Sequence, residues 1–351
     1  MSLQDIKSMT LDEIKADFAA EGRPAFRALQ IYKWLHRGVV SFDEMSDQSK
    51  AFRTELSQKY YIANAVIEKK LESKIDDTVK YLFRLNDGEY IEGVLMNYHH
   101  GHTLCISTQV GCKMNCTFCA TGKSGFSRDL TASEMLAQIQ AVQKDANLRI
   151  SNVVMMGMGE ALDNYSSMLR FLELVSSDEG MNIGMRHISL STCGIVDKIY
   201  NLADKKLQLT LSVSLHAPND EIRSKTMPVN KKWGVDELLK ACRYYTDLTG
   251  RRISFEYAMI SGVNDSDGCA RELAGKLRGT LSHVNLIPVN SVTGAGYQKS
   301  SSERLQKFSS ILSEKGITVT VRRTLGSDIN ASCGQLRRRY KEEVANVESF
   351  Q

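Results

Sequence analysis

Short apolar segments alternate with amphipathic segments from residue 103 to residue 323, and this pattern constrains the fold more than any other feature of the chain. Val, Ile, Leu and Met dominate the apolar segments, which predicts buried strands. The seven segments are 103–111, 152–159, 187–194, 209–217, 252–260, 283–290 and 317–323. Each of the first six is followed by a sequence typical of an amphipathic helix. The alternation therefore predicts an α/β fold with a parallel sheet.

The spacing of the predicted strands is compatible with two α/β architectures. Spacings of roughly 25–40 residues suit a partial (βα)6 barrel, although a doubly wound open sheet has the same periodicity. We expect the barrel core to span residues 98–328.

The first 97 residues differ from the rest and predict a small α/β accessory domain. A helix is expected to begin at Thr10, a second to follow Pro24 and end at Gly38, and a third to cover about 42–60. Two strand-like segments, 79–85 and 89–98, flank an Asn-Asp-Gly turn and predict a hairpin. We assign residues 329–351 to a separate C-terminal loop.

Eight cysteines bear on the chemistry of the chain. The N-terminal residues mix acids and bases without an apolar stretch, and no segment approaches the roughly 18 apolar residues of a membrane span. We therefore expect a cytoplasmic location and no membrane partner. Because that compartment is reducing, the cysteines favour metal or redox chemistry over structural disulfides.

Three of the cysteines, Cys112, Cys116 and Cys119, crowd into eight residues. Thiolates are the usual ligands of iron–sulfur clusters, and three of them would leave one iron of a four-iron cluster open to a further ligand. A zinc site is the alternative, but it would require a fourth Cys or His at comparable spacing. The sequence has none nearby.

Polar residues gather at the carboxyl ends of the predicted strands. Those ends meet on one face of a barrel, which predicts a single site there. The residues concerned are Cys112, Gly159, Glu160, Ser191, Ser214, His216, Asn290 and Cys333. The Gly157–Glu160 turn alone fits a tight strand-to-helix connection equally well, and it lacks the third glycine of a dinucleotide-binding motif.

The cysteine triplet, with Phe118 before its last member, resembles the motif of radical-SAM enzymes. This resemblance implies a 4Fe-4S cluster on Cys112, Cys116 and Cys119 whose open iron binds S-adenosylmethionine. It further implies one-electron reduction to a 5′-deoxyadenosyl radical. An electron donor such as flavodoxin or ferredoxin would supply the electron.

Six segments spread over the chain resemble the RlmN/Cfr family of radical-SAM RNA methyltransferases, and its RlmN branch in particular. They are YIEGVLM, LCISTQVGCKMNCTFCATGKSGF, SLSTCGIV, SLHAPND, HVNLIPVN and NASCGQL. The resemblance implies methylation of carbon 2 of adenine at position 2503 of 23S ribosomal RNA. In some members adenosine 37 of transfer RNA is also methylated. We expect two S-adenosylmethionine molecules per turnover and a monomer.

The same resemblance assigns roles to individual residues. Cys333 matches the cysteine that is methylated and then donates a methylene to the base. Cys105 matches a second thiol that forms a transient disulfide with it, and Glu92 matches the proton acceptor. The positions that match S-adenosylmethionine-binding residues are Gly159, Glu160, Ser191, Ser214, Leu215, His216 and Asn290.

Two features leave alternatives open. Ala161 stands where the RlmN branch has proline, as in Cfr enzymes, which methylate carbon 8 of the same adenosine. A basic run from Val321 to Lys341 contains six basic residues and one acidic residue. Such runs are commonly solvated faces, but Arg337, Arg338 and Arg339 are candidates for contacts with RNA phosphates. A rival of another class is a nucleic-acid-binding protein with a purely structural metal centre.

Overall fold

The computed structural model describes residues 3–99, 101–289, 296–331, 336–337 and 340. Asn290 and Cys333, named above as candidate site residues, lie outside these ranges, as do Arg338 and Arg339.

The N-terminal elements are strand β1 (Gln4–Asp5), helices α1 (Leu11–Ala20), α2 (Ala25–His36) and α3 (Lys50–Lys59), and strand β2 (Tyr60–Tyr61). The first two helices begin as predicted. At the start of α1 the Thr10 hydroxyl accepts the Glu13 N–H, and the Glu13 carboxylate accepts the Thr10 N–H. Helix α2 begins directly after Pro24. The predicted third helix was too long. Residues 42–44 form one separate 3₁₀ turn, and α3 begins where the Ser49 hydroxyl accepts the Phe52 N–H.

Three antiparallel strands follow: β3 (Ala65–Glu72), β4 (Val79–Leu85) and β5 (Tyr90–Tyr98). The hairpin of β4 and β5 is confirmed, and its turn contains Gly88 with φ of 83°, a conformation that favours glycine. Strand β3 was not predicted. Half of its residues are charged, which is typical of an edge strand but gives a weak apolar signal.

The remaining elements alternate as the sequence predicts. In chain order they are β6 (Gly101–Cys105), β7 (Gln109–Gly111), α4 (Ala120–Lys123), β8 (Phe126–Asp129), α5 (Ala132–Ala146), β9 (Asn152–Met155), α6 (Tyr165–Val175), β10 (Ile188–Thr192), α7 (Val196–Asp204), β11 (Thr210–Ser214), α8 (Asp220–Thr226), α9 (Val235–Thr249), β12 (Ile253–Met259), α10 (Asp267–Leu277), β13 (Ser282–Pro288), α11 (Ser302–Glu314) and β14 (Thr318–Val321). Helices α4 and α8 and strand β8 were not predicted.

Ten strands of the described residues form one sheet in the order β14-β13-β12-β11-β10-β9-β6-β5-β4-β3. The seven strands from β14 to β6 run parallel and follow chain order without reversal. A doubly wound sheet reverses its strand order at a switch point, so this topology is that of a barrel. The sheet retains two ends, β14 and β3, which makes it a partial barrel and confirms the predicted fold class.

The two faces of the parallel sheet differ in polarity. Leu190, Leu211 and Phe255 point outward and are completely buried in the core that the helices complete. Burial of each such side chain stabilises the fold by about 1.5–3 kcal/mol. The residues next to them in sequence point inward, because side chains alternate along a strand. Register aligns the inward-facing residues of neighbouring strands, which pair as Ser191 with Ser212, Ser214 with Glu256, and Glu256 with Asn285.

The predicted strand 103–111 is in fact two strands. Its chain turns at Ser107, whose hydroxyl donates to the Glu92 carbonyl at 2.7 Å and accepts the Met158 N–H at 3.0 Å. Beyond the turn, β7 leaves the large sheet and pairs with β8 instead. This small hairpin closes the loop that carries the three clustered cysteines.

Strands β3 to β5, which the sequence assigned to the N-terminal unit, are hydrogen-bonded to the barrel through β5 and β6. The domain boundaries at 97 and 328 stay predictions. No helix among the described residues has the length and apolar character needed to cross a membrane.

His36, at the end of α2, generates a prediction about pH. Burial, reinforced by the positive charge of Lys7, lowers the pKa of His36 to about 4. In the unfolded chain a histidine takes up its proton near pH 6.5, so between these values the unfolded state binds more protons and stability falls as the pH drops. Between pH 7 and pH 5 we expect His36 to account for a loss of about 2 kcal/mol.

Urea denaturation of wild type and His36→Phe at both pH values measures this loss. The variant should lose about 2 kcal/mol less than the wild type on acidification. The exposed ring of His187 provides a control, His187→Phe. Equal losses in wild type and His36→Phe would contradict the assignment.

Candidate active site

The three clustered cysteines occupy one loop between β7 and β8. The Cys112 N–H donates to the Gly125 carbonyl at 3.0 Å at the base of the loop, and the Cys119 N–H donates to the Cys116 carbonyl at 3.1 Å. Gly111 must be glycine, since its φ is 85° and a Cβ there would lie 1.9 Å from the Gly125 oxygen. The local backbone therefore brings the three thiols into a single short turn.

The donor set of this loop fits an iron–sulfur cluster. Burial raises the pKa of Cys112 to about 12 and also raises the pKa of Cys116, where the neighbouring Cys119 adds to the effect. Thiols of this kind bind metal as thiolates, so loading with iron would release protons. Within the described residues no three His, Cys, Asp or Glu side chains are arranged to hold one metal ion. A four-iron cluster presents a different iron to each thiolate.

Gly157 and Gly159 follow β9 and pack against the chain that leads into the cysteine loop. A Cβ on Gly157 would lie 2.5 Å from the Ile106 oxygen, and one on Gly159 would lie 2.6 Å from the Gln109 Cβ. Both the Thr108 and the Gln109 N–H donate to the Met158 carbonyl. The two glycines thus allow the backbones of the two loops to pack closely, and this role does not depend on a ligand.

Glu160 is buried between the ends of β9 and β10. Its Oε1 accepts the Leu162 N–H at 3.1 Å, and its Oε2 accepts the Cys193 N–H at 2.6 Å. Burial raises the pKa of Glu160, and these hydrogen bonds oppose that rise. The Thr192 and Cys193 side chains also donate hydrogen bonds to this carboxylate, so four donors of the protein fix its orientation.

A cavity of about 320 Å³ opens at the carboxyl ends of the parallel strands. This volume lies within the range of small-molecule sites. Of the predicted site residues, the cavity wall contains Cys105, Cys119, Ser191, Ser214 and His216. Glu92, Gly159, Glu160 and Leu215 are not part of that wall. Leu215 is completely buried, and its N–H donates to the Glu256 carbonyl.

His216 adopts a left-handed backbone with φ of 57°. Its Nδ1 accepts the Ala258 N–H at 2.9 Å, which leaves the proton on Nε2 in the neutral ring. Burial, with a contribution from Arg223, lowers the pKa of His216 to about 3. Its ring meets the Phe118 ring edge to face, with 4.9 Å between centroids. His216 is therefore a neutral side chain that joins the cavity to the cysteine loop.

Arg223, on α8, has a structural role at the site that the sequence did not indicate. Its guanidinium is completely buried and donates to the carbonyls of Cys193, Ser214 and Leu215 and to the Asn230 side chain. Burial lowers its pKa. The side chain ties the ends of β10 and β11 together. Since α8 was not predicted, an arginine there gave no signal.

Glu256 is a second residue that sequence reasoning missed. It lines the cavity from the inner face of β12, where its oxygens accept hydrogen bonds from Ser254 at 2.8 Å and Asn285 at 2.7 Å. Burial raises its pKa. A signal was present in the sequence, because a lone Glu inside an apolar strand must point to the polar face of the sheet.

Glu92 lies on the inner face of β5 and is completely buried. Its Oε2 pairs with the Lys80 ammonium at 3.0 Å, and its Oε1 accepts the Arg337 N–H at 2.7 Å. Arg337 itself is buried, and its guanidinium pairs with Glu89 at 3.1 Å. The expected phosphate contact is therefore wrong for Arg337 as the structure holds it.

Two protein-family models match parts of this chain. Residues 106–270 match the family model of the radical SAM superfamily, and residues 4–62 match that of the ribosomal RNA large subunit methyltransferase N-terminal domain. With the partial barrel and the cysteine loop, these matches define a radical SAM enzyme. Enzymes of this superfamily use a 4Fe-4S cluster and S-adenosylmethionine.

Individual relatives place the chain more closely. It is 54% identical to the probable dual-specificity RNA methyltransferase RlmN of Alkaliphilus oremlandii, over 96% of this chain and 98% of the relative. A protein of the same name from Thermoanaerobacter sp. is 51% identical over 97% and 100%. The crystal structure of a radical SAM methyltransferase from Sphaerobacter thermophilus matches with a TM-score of 0.90 and 44% identity, covering 95% and 98%. The chain belongs to the RlmN family of radical SAM RNA methyltransferases.

The glycine turn generates a prediction about stability. Gly159→Ala should cost about 3 kcal/mol or more, because a φ of 105° and a clash with Gln109 act together. Gly262→Ala is the matched control: its φ is 70° but no atom lies within 4 Å of the added Cβ. It should cost only about 1–2 kcal/mol. Chemical denaturation gives both values, and equal costs would contradict the close packing of the two loops.

Proposed function

We propose that this chain methylates carbon 2 of adenine at position 2503 of 23S ribosomal RNA through a methyl-cysteine intermediate. Adenosine 37 of transfer RNA is its proposed second target. The names of the relatives, dual-specificity RNA methyltransferases, support an RNA substrate with two specificities. The observation that carries the proposal is that one cavity is lined both by Cys105 and by Cys119 of the cysteine loop.

The chemistry of the target explains why these residues are needed. Carbon 2 of adenine lies between two ring nitrogens and is electron-poor, so it cannot attack a sulfonium methyl as a nucleophile. The cluster and S-adenosylmethionine, held by the cysteine loop and the neighbouring strand ends, supply carbon-radical chemistry. In this proposal Cys333 carries the methyl group that couples to the ring. Glu92 then takes the proton from the ring carbon, and Cys105 takes over the sulfur as the product leaves.

The surroundings of Cys105 suit this role. Its strand register places it opposite Val94 on the inner face, and Glu92 is two residues from Val94 on the same face. Val94 and Met96 pack with Cys105 in a small apolar cluster, so the buried thiol faces the cavity among apolar side chains. An apolar wall protects a radical intermediate from side reactions.

The remaining features of the proposal come from the family resemblance. We propose that two S-adenosylmethionine molecules are used per turnover and that flavodoxin or ferredoxin supplies the electrons. A monomeric state and a cytoplasmic location belong to the same proposal. Among the described residues, Glu160, Ser191, Ser214, Leu215 and His216 are the proposed cofactor contacts, with Gly159 in the turn and Asn290 outside the described ranges.

Carbon 8 is the second candidate position, and Ala161 is the residue that favours it. Ala161 is buried directly after Glu160 and is absent from the described cavity wall. Its neighbourhood is the cofactor turn and not the wall that would orient a base. We therefore propose that Ala161 tunes cofactor affinity and leaves the choice of carbon unchanged.

The cluster assignment is tested by removing single thiols. Cys112→Ala, Cys116→Ala and Cys119→Ala should each lose the visible absorbance of the reconstituted cluster and form no 5′-deoxyadenosine, because each thiolate holds a different iron. Cys193→Ala is the matched control: Cys193 is a buried thiol near the loop, and burial, Glu160 and Cys116 together raise its pKa. It should keep the cluster. A full cluster in any of the first three variants would refute the ligand set.

The two outer thiols should fail differently. Cys105→Ala should accumulate protein covalently joined to RNA, since the thiol that releases the product is missing, whereas Cys333→Ala should form no such species. Denaturing purification followed by nuclease digestion and mass analysis detects the cross-link. Its appearance in Cys333→Ala would reverse the two roles and overturn the proposed mechanism.

A further inference from the structure

Lys80 and Glu92 form an ion pair in which both side chains are almost wholly shielded from water. The Lys80 Nζ lies 3.0 Å from the Glu92 Oε2, and the side chains are 1% and 0% exposed. Burial of two charges is expensive, and an apolar pair of similar size is often at least as stable. The pair therefore calls for an explanation other than stability.

Register places this pair beside the cavity. Lys80 on β4 lies opposite Val94 on β5, and Val94 in turn lies opposite Cys105 on β6. Side chains directly opposite each other in a sheet share a face. Lys80, Glu92 and Cys105 consequently all point to the inner face. Gly93 permits the close approach of these strands, since a Cβ there would lie 2.9 Å from the Phe83 ring.

Each partner of the ion pair also binds the backbone near the C-terminus. We refer to residues 326–340 as the C-terminal segment. The Lys80 Nζ donates to the Asn330 carbonyl at 3.0 Å, and the Glu92 Oε1 accepts the Arg337 N–H at 2.7 Å. Residues 330 and 337 stand on either side of Cys333 in the sequence. One buried pair thus holds the chain on both sides of the proposed methyl carrier.

Other contacts of the described residues also hold this segment, among them the Arg337–Glu89 ion pair. The Gly326 N–H donates to Asp76, and Asp328 accepts from the Ser73 hydroxyl and the Lys74 N–H. Asp328 and Lys74 are exposed to solvent. The Lys80–Glu92 pair differs because it is buried on the inner face of the sheet, next to the cavity wall, and binds the segment from there.

We propose that Lys80 is a positioning residue that fixes the C-terminal segment over the cavity through Glu92 and Asn330. The inference rests on the proposed function, in which Cys333 must meet the cavity in a defined geometry. A misplacement of about 1 Å at a reacting group can cost about a hundredfold in rate. Lys80 also orients the Glu92 carboxylate, the proposed proton acceptor, by engaging one of its two oxygens.

Tryptic cleavage after Arg337 measures directly how firmly the C-terminal segment is bound to the sheet. The assay needs neither cofactor nor RNA. In the wild type the Arg337 main chain is held and buried, so release of the fragment that begins at residue 338 should be slow. Lys80→Met should accelerate it about tenfold or more, because proteolysis follows the population of the open form. Lys70→Met is the matched control, since Lys70 on β3 also forms ion pairs, with Glu72 and Asp145, away from this segment.

A second variant covers the case in which Lys80→Met fails to fold with a lone buried carboxylate. Lys80→Met combined with Glu92→Gln leaves no buried charge and keeps an oxygen for the Arg337 N–H. It should still be cleaved faster than the wild type, because the Asn330 tie is lost. Wild-type cleavage rates in a folded Lys80 variant, with a circular dichroism spectrum like that of the wild type, would overturn the proposal.

Methylation assays then separate positioning from a general loss of structure. Lys80→Met should lower kcat and leave the KM for RNA unchanged, and Lys80→Arg, which keeps the charge and the donors, should recover part of kcat. A rise in KM with unchanged kcat would overturn the positioning role. If the wild-type protein methylates no RNA, the proposed function fails, while the cleavage rates still decide whether Lys80 holds the segment.

Discussion

The burial of the outer face of the parallel sheet against its helices is the interaction on which the rest of the structure depends. Every outward residue of the central strands that is apolar and buried, such as Leu190 or Val213, leaves its neighbour free to be polar on the inner face. The outer face supplies the stability, so the inner face can hold Ser191, Ser214 and Glu256 around a cavity. The cysteine loop then needs only the small β7–β8 hairpin to close it beside that cavity.

The antiparallel strands β3 to β5 extend this arrangement in a way that serves the C-terminal segment. Hydrogen bonds join β5 to the first barrel strand, so its inner face continues the wall that contains Cys105. The described C-terminal residues meet these strands repeatedly: besides the contacts of Lys80 and Glu92, the Tyr340 hydroxyl donates to Glu68 and its ring packs against Tyr90. Strands β3 to β5 therefore form the surface that binds the described C-terminal residues.

The sequence predicted what local patterns encode and missed what distant contacts decide. The order of the main strands and helices, the start of α1 at Thr10, and the positions of Ser191, Ser214 and His216 in the cavity wall follow from periodicity, caps and strand ends. The break of the first strand at Ser107 depends on a contact with Glu92, 15 residues away. The role of Lys80 depends on a hydrogen bond to residue 330, and the role of Arg223 depends on hydrogen bonds to the ends of two strands. A lysine in a hairpin strand and an arginine on a short helix resemble surface residues until the fold is known.

The identity of the methylated carbon is the most direct test of the proposed function, because it depends on the cofactor site, the outer thiols and the orientation of the base together. The reconstituted protein would be incubated with reductant, S-adenosylmethionine and 23S ribosomal RNA, and the digested RNA compared with 2-methyladenosine and 8-methyladenosine standards by chromatography and mass spectrometry. We expect 2-methyladenosine as the dominant product. Dominant 8-methyladenosine would contradict the proposed function and give Ala161 and its turn a different meaning.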